Sequence, residues 1–371
     1  MSESCAIAVV GAGMAGASLA AELSALGAGR VIMLEAEERP GYHTTGRSAA
    51  FWEECYGGPD VVPLTLASGR WLRERGFLDP RGALYVGQAA HEGALDAFME
   101  TFAGTGVTIE RLGRDRLAER LPGVRAAYTG AVWEPACADI DVAGLHQYYL
   151  SAAKRGGVEL RTRWRVVLAE RSGDGWRLVN ERGEVLSCDV VANAAGAWAD
   201  TFAEVAGART LGIQPLRRTV AQLRTDPPPP GDLPLVLDIE GRFYFKPESG
   251  RLWLSPHDEE PSPPCDAAPE ELAVAEAIDR FERVVDWRVQ AVERKWAGLR
   301  SFAPDRLPVY GYDPDVRGLF WFAGQGGFGI QTAPAAARLG AQLLLARPRD
   351  AMTDDLDARL YDPARFDSTG T

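Results

Sequence analysis

One stretch, Val9-Val10-Gly11-Ala12-Gly13-Met14-Ala15-Gly16, limits the fold of this chain more than any other. Ala6 to Val10 is a short apolar run without charge, as a central parallel strand requires. Gly11 permits a sharp turn, Gly13 lets backbone N–H groups approach a pyrophosphate, and Gly16 lets the following helix lie close to the strand. That helix runs from Met14 and Ala15 to about Leu26, with Glu22 as its one charge, and its N-terminus directs partial positive charge at an anion. A second apolar strand, Val31 to Leu34, ends in Glu35, at the distance where an acid takes ribose hydroxyls. A lone glycine triplet is a weak signal. Here a strand precedes it, a helix follows it and an acid stands at the right remove. Two anions would meet at Glu35 if the ribose carried a 2′-phosphate, which disfavours NADP and leaves NAD and FAD open.

Composition narrows the partners. The 371 residues carry 46% hydrophobic and 25% charged side chains, enough for two domains with real cores. A net charge of −12 argues against nucleic acid and against an anionic membrane surface. The sequence reaches its first buried strand almost at once and has no apolar run that would span a bilayer, so no intrinsic membrane anchor is expected. The five cysteines (Cys5, Cys55, Cys137, Cys188, Cys265) and four histidines (His43, His91, His146, His257) are scattered without metal-ligand spacing. No metal site is expected, and a reducing cytoplasm is the expected compartment.

Beyond Glu35 comes a polar, glycine-rich loop from Gly41 to Ala50, in which Arg47 and Ser48 are candidate phosphate ligands and small Ala49 and Ala50 allow close approach to a flat ring. Val61 to Trp71 reads as a helix, Ala83 to Val86 as a strand and Glu92 to Phe102 as a helix. Asp139 to Lys154 reads as helix, and Val158 to Leu168 and Trp176 to Leu186 as strands. Asp189 to Gly196 is a buried strand ending in small residues, which suits either a cofactor against the backbone or close packing. Asp226 to Asp232 is too proline-rich for helix or central strand. Arg242 to Lys246 and Leu252 to Leu254 pair around the Glu248-Ser249-Gly250 turn, and Glu270 to Val284 is a helix. Near the end, strand Leu319 to Phe322 leads through Gly324 to Gly329 into a helix from about Ala333 to Leu345.

Taken in order, these motifs resemble the flavin-dependent D-amino acid oxidase superfamily, and in particular its D-arginine dehydrogenase branch. The resemblance is carried by Glu35 with the Gly41 to Ala50 loop, Ala138-Asp139-Ile140-Asp141 with Leu145-His146-Gln147, and Val191 to Trp198. It continues in Trp296 to Phe302 and Gly324 to Thr332. It implies an α/β (α+β) fold with a discontinuous Rossmann-type FAD-binding domain (1–82, 138–210, 297–371) and an antiparallel-sheet substrate domain (83–137, 211–296). The FAD contacts it implies are Gly11, Gly13, Met14, Ala15, Gly16, Glu35, Thr44, Arg47, Ser48, Ala49, and Val166 at the adenine. They continue with Ala195, Gly196, Trp198, Gly326, Gly327, Phe328, Gly329, Ile330, Gln331 and Thr332. In the resembled family the last helix points at the isoalloxazine ring. Glycine loops opening a helix at each end of the chain suit a long cofactor charged at both ends, which favours FAD over NAD. No Cys stands near Arg300, where related monomeric sarcosine oxidases attach their flavin, so noncovalent FAD is expected.

The same resemblance assigns Arg218, Arg300, Tyr244 and Tyr56 to the substrate carboxylate. A planar carboxylate suits a guanidinium fork. Arg300 lies in an apolar stretch between Leu299 and Phe302, where a buried charge needs an anionic partner. Arg217 and Arg218 are adjacent, so on a strand only one faces the pocket, and the resemblance selects Arg218. Phe51, Ala83, Gly327 and Gln331 are the expected pocket residues. Ala83 replaces the branch's guanidinium-binding acid and Phe51 replaces an active-site histidine, which predicts a neutral or apolar substrate side chain. Lys246 reads as an exposed strand lysine, with assistance to dioxygen as the sharper alternative. The implied reaction is oxidation of a D-amino acid by hydride transfer from Cα to flavin N5, the imino acid hydrolysing to a 2-oxo acid and ammonia. The electron acceptor, dioxygen or another carrier, is left open. A secondary amine or a 2-hydroxy acid would use the same arginines, and a non-catalytic nucleotide-binding protein is the reading from a different class.

Overall fold

The computed structural model describes residues 3–49 and 51–366, so Ala50 lies outside the described residues. Strand Glu3–Val10 is the middle of an eight-stranded sheet, parallel to Val31–Leu34 on one side and to Val185–Asn193 on the other. The register pairs Val10 with Leu34 and with Asn193. The residues that follow, Gly11, Glu35 and Ala194, therefore leave the sheet side by side at the carboxyl ends of the strands, where open α/β sheets bind ligands. Helix Met14–Ala25 packs between helices Val142–Arg155 and Ala333–Leu344, and its alanines and leucines join one core with Phe320 and Phe322 of strand Leu319–Ala323.

A ten-stranded sheet forms the other layer. It draws its strands from 83–134 and 214–302, with Gln325–Gly326 at its edge. All its pairs are antiparallel except Leu235–Asp238 beside Ala83–Gln88. Helix Glu271–Val284 covers one face through Val274, Ala277, Phe281 and Val284. The long pair Gln214–Asp226 and Arg288–Phe302 is its backbone. Strand Arg288–Phe302 runs unbroken through residue 297, so the expected boundary there falls inside one strand. The mixed α/β architecture agrees with the sequence reading.

Two local departures have clear causes. The expected strand Val158 to Leu168 is two strands, Glu159–Arg161 and Val166–Ser172, separated by Arg163 at φ 54°. The break is held by Arg163 N–H donating to Glu37 O and Trp164 N–H donating to Glu35 O, which brings Trp164 to Val166 beside Glu35. The expected helix from Asp139 begins instead at Val142. Asp141 caps it by accepting from Gly144 N–H at 2.8 Å, and Ala138–Ile140 pairs as a strand with Phe51–Trp52 and Leu78–Pro80. Among the described residues no helix is long and apolar enough to cross a membrane, and no group of three His, Cys, Asp or Glu side chains could hold a metal ion.

Candidate active site

A cavity of about 330 Å³ runs between the two sheets, within the range of small-molecule sites. At one end it is walled by Gly11, Gly13, Met14 and Ala15, by Glu35, and by Trp164 to Val166. Gly11 sits at φ 104°, and a Cβ there would overlap the Ala194 carbonyl, 3.0 Å from its carbon. Only glycine makes this turn. Gly16 is not on the cavity wall; a Cβ there would stand 2.8 Å from the Gly11 carbonyl carbon, so its role is close helix packing. The Glu35 carboxylate accepts from Ala12 N–H (3.0 Å) and Glu37 N–H (2.9 Å), which fixes it against the cavity. The Met14 amide, expected to face a phosphate, donates to Thr45 Oγ1 at 2.9 Å.

The middle of the cavity is lined by Thr44, Ser48 and Ala49 from the glycine-rich loop and by Ala195, Gly196 and Trp198 from the strand end. Thr44 Oγ1 donates to Leu299 O at 2.8 Å and ties the loop to the second sheet. The expected phosphate role of Arg47 is not what its head group does here. It borders the cavity, but the guanidinium pairs with Asp266 and donates to Ala267 O (3.1 Å) and Ala297 O (3.2 Å). An anion already satisfies this charge. His43 lines the cavity with Nδ1 buried and unpartnered, its ring 4.6 Å from Trp198.

At the far end stand Arg218, Tyr244 and Arg300. In the antiparallel register Arg218 opposes Gly298 and Leu216 opposes Arg300. The two arginines are thus diagonal neighbours on one face of the sheet. Arg217 faces the other side and pairs with Glu270 at 2.7 Å and Asp258 at 3.5 Å. Arg218 is 4% exposed, and its Nε and Nη1 have no partner; the Tyr244 hydroxyl is also buried and unpartnered. Burial, and then the neighbouring Arg300 charge, pull the Arg218 guanidinium down to about 10, so it remains a cation at neutral pH. Burial opposes the charge of Arg300 too, but Tyr56, Tyr244 and nearby acids outweigh it and hold its pKa above the usual value. Arg300 Nη1 donates to the Tyr56 hydroxyl at 2.6 Å. Tyr56 stands behind Arg300 and does not wall the cavity.

The loop Gly326, Gly327, Gly329 and Ile330 completes the wall, but Phe328, Gln331 and Thr332 turn away from it. Phe328 packs with Val61 and Phe302. Gln331 is 1% exposed; its amide donates to Glu53 O (3.0 Å) and Thr65 Oγ1 (2.9 Å). Thr332 Oγ1 donates to Phe328 O. Phe51 and Ala83 also lie in the layer beneath the wall, in one cluster with Tyr85, Leu237 and Tyr244. The expected pocket set is therefore corrected. Gly327 faces the cavity, whereas Phe51, Ala83 and Gln331 support its wall, because buried strands and a buried amide network have claimed those side chains. Phe51 meets the Tyr244 ring edge-on at 5.5 Å.

Three features escaped the sequence reading. Lys246 is 3% exposed, outside the cavity wall, and donates to Asp139 at 2.7 Å, so it is neither an exposed lysine nor a wall residue. Glu53 and Glu134 are buried acids under the site. Burial and then Glu134 drive Glu53 well above the usual range, and burial raises Glu134 to about 7. Glu134 accepts from Glu54 N–H at 2.7 Å and so shapes the turn that carries Tyr56. Glu259 donates no backbone signal in the sequence, yet its carboxylate reaches Arg218. Only Lys246 carried a signal, its place at the end of the unbroken aromatic run Phe243 to Phe245.

The residues fit a bound dinucleotide flavin. The glycine turn and fixed acid close one end, unpartnered polar atoms of His43, Arg218 and Tyr244 border the cavity, and none of the five cysteines lines it. Comparison with known proteins points the same way. The family described as DAO, FAD dependent oxidoreductase, matches residues 6–343. FAD-dependent oxidoreductase domain-containing protein 1 of Mus musculus is 29% identical over 176 residues, covering 43% of this chain and 36% of that relative. The match thus spans little more than a third of that relative's length. Glycine oxidase of Geobacillus kaustophilus (strain HTA426) is 27% identical over 359 residues, 91% of this chain and 92% of the relative. The solved structure of L-proline dehydrogenase from P. horikoshii matches with a TM-score of 0.85 at 22% identity over 99% of both chains, a likeness of fold.

Proposed function

The chain belongs to the DAO family of FAD dependent oxidoreductases, and from that membership we propose that it oxidises the α-amine of a D-amino acid with a neutral or apolar side chain. The observation that carries the reading is the Arg218 and Arg300 pair, diagonal on one sheet face, with unpartnered Arg218 nitrogens and an unpartnered Tyr244 hydroxyl beside the cavity. Two guanidinium groups with an orphaned hydroxyl call for a carboxylate, and a planar carboxylate bound by forks has a defined orientation. Amine oxidation is supported by the glycine oxidase relative, matched over almost its whole length. The D configuration rests on the sequence motifs. The side-chain preference rests on the sequence, in which Ala83 stands where the resembled branch has its guanidinium-binding acid and Phe51 where it has a histidine.

In this reading Arg218 and Arg300 bind the substrate carboxylate and Tyr244 donates a hydrogen bond to it. Tyr56 holds Arg300 in place. Gly327 leaves room beside the Tyr56 hydroxyl, since a Cβ there would crowd it. Glu35, Ala195 and Gly196 would hold FAD at the nucleotide end and Gly326 and Gly327 near the substrate, without a covalent link. Bound FAD supplies the two-electron acceptor. The substrate loses its Cα hydride and one amine proton, a C=N bond forms, and water then displaces ammonia to leave the 2-oxo acid. In this reading the segments 1–82, 138–210 and 297–371 chiefly serve the cofactor and 83–137 and 211–296 the substrate, with Arg300 reaching the substrate from the continuous strand that crosses the boundary.

The test is anaerobic bleaching of the flavin absorbance with paired D- and L-amino acids. D-Leu, D-Phe and D-Met are expected to bleach it rapidly and their L forms not at all. A strong preference for D-Arg or D-Lys would remove the side-chain assignment, and bleaching only by N-methyl or cyclic amines would move the reaction to secondary amines.

A further inference from the structure

Arg218 already holds one anion. Its Nη2 donates to Glu259 Oε1 at 3.0 Å, and the same carboxylate accepts from Arg306 Nη2 at 2.9 Å and 3.1 Å. The three side chains form a gradient of exposure: Arg218 is 4% exposed, Glu259 is 36% and Arg306 is 53%. Glu259 therefore reaches from the protein surface to the buried charge that the substrate carboxylate requires. A buried guanidinium without an anion is costly, so in the absence of substrate this contact stabilises the site. A bidentate fork on Arg218 uses Nη2 together with Nε or Nη1, so a substrate carboxylate held by the fork meets Glu259 at Nη2.

The backbone around Glu259 is fixed. On one side Asp258 accepts from Thr219 N–H (2.7 Å) and Thr219 Oγ1 (2.8 Å). On the other, Glu260–Pro261 pairs as a strand with Leu216 and Arg217. Both anchors lie on the strand that carries Arg218. The segment cannot lift away without breaking them, whereas the Glu259 side chain has rotatable bonds, solvent on one side and a second cation in reach. Arg306 is itself held over the Phe302 ring, its Cζ 4.0 Å from the centroid, beside Phe328.

We propose that Glu259 is a displaceable internal carboxylate: it occupies Arg218 in the free enzyme and passes wholly to Arg306 when a substrate carboxylate takes its place. This rests on the reading of Arg218 and Arg300 as the carboxylate site. Glu259 then sets substrate affinity without touching the reacting bond, because every binding event includes its release. The apparent affinity is reduced by the fraction of molecules in which Arg218 is occupied by Glu259.

Two substitutions move this competition in opposite directions. Glu259→Gln removes the competing charge. Arg306→Gln removes the alternative partner and leaves Glu259 with Arg218 alone. The holoenzyme is titrated calorimetrically with propanoate, a carboxylate with no amine to oxidise. Glu259→Gln is expected to tighten propanoate binding by roughly tenfold and Arg306→Gln to weaken it by a few-fold. The melting temperature of Glu259→Gln is expected to be lower without propanoate and to rise more than wild type when it is added. Glu259→Asp, which keeps the charge but shortens the reach, is expected to tighten binding less, and it serves if the glutamine variant does not fold. Unchanged or weaker binding in both Glu259 variants overturns the proposal and makes Glu259 a fixed support for Arg218. No propanoate binding by wild type or any variant, with flavin retained, overturns the carboxylate site itself and the proposal with it.

Discussion

Gly327→Ala is the most informative single change in this site. Gly327 does not have a positive φ, so the backbone there accepts any residue. The difficulty is space. An added Cβ would stand 2.7 Å from Tyr56 Cζ, 2.9 Å from Arg300 Nη1, and closer still to the Tyr56 hydroxyl. To reach ordinary contact, the Tyr56 ring must retreat by well over half an ångström and Arg300 must follow it or lose its 2.6 Å hydrogen bond. Overpacking of this kind costs about 1–3 kcal/mol, and a hydrogen bond to a charged group is worth about 1.5–3 kcal/mol. The two are not additive, since moving the ring relieves the first by giving up the second. The expected result is a fall of roughly 10²-fold in kcat/KM, the usual effect of a shift near 1 Å at a positioning group. Melting temperature should drop by only a few degrees, the effect of about 1–3 kcal/mol on a chain of this size. The assay is stopped-flow flavin reduction with the best D-amino acid, beside a thermal melt. Tyr56→Phe removes the nearest atom and leaves the 2.7 Å contact, so the double variant should recover part of the loss relative to the sum of the singles. A Gly327→Ala enzyme with wild-type kcat/KM would show that the Tyr56 and Arg300 geometry is not held against this loop, and the argument for a rigid carboxylate anchor would go with it.

Arg300→Lys keeps the charge but not the fork, and the loss of about 2–3 kcal/mol should appear as a fall of roughly 10²-fold in kcat/KM, chiefly through KM; steady-state kinetics decide it. Glu134 has its pKa raised to about 7 by burial, against an ordinary value of 4.5, so the folded state binds the extra proton. The stabilisation is full below pH 4.5, declines as pH rises and is gone above about 7. Glu53, raised well above the same value, acts with the same sign. Chemical denaturation across that window should show this decline in wild type and a shallower one in Glu134→Gln. Lys246→Met should destabilise the fold, by less than the ~3–5 kcal/mol usual when a buried pair loses one partner, because Asp139 keeps its 2.5 Å bond from Arg81. Reoxidation of the reduced flavin by dioxygen should be unaffected; a slower rate would reinstate a role for Lys246 with oxygen.

The first half of the fold was legible because its determinants are local. The three glycines stand at a fixed spacing between a strand and a helix, Gly16 answers a steric demand from Gly11 within a few residues, and Glu35 follows a strand whose length sets its distance. The break at Arg163 was not legible. Val158 to Leu168 has strand character throughout, and what divides it is a pair of backbone hydrogen bonds to Glu35 and Glu37, more than a hundred residues earlier in the chain. Periodicity does not report on a partner that distant. Asp141 was misplaced for a smaller reason. Two aspartates, Asp139 and Asp141, precede the helix, and only Asp141 has the Gly144 amide in reach as a cap.

The candidate site divides along the same line, between residues whose direction follows from a strand and residues whose direction depends on a neighbour. Alternation on a strand separates Arg218 from Arg217, and the antiparallel register then places Arg300 beside Arg218. Phe51, Ala83, Gln331 and Arg47 depend instead on what else competes for them. Asp266 takes the Arg47 charge, Glu53 and Thr65 take the Gln331 amide, and the Tyr244 cluster takes Phe51 and Ala83. In each case a protein group occupies the side chain that a ligand was expected to use. Arg218 shows the converse. It is the deepest of these charges, and the one anion that reaches it among the described residues, Glu259, comes from the solvent side and shares itself with Arg306. A guanidinium whose Nη1 and Nη2 are taken by a carboxylate and two backbone carbonyls, as at Arg47, is structural. A buried charge with two unpartnered nitrogens and a partner that also holds a surface cation is what a binding site requires before its ligand arrives.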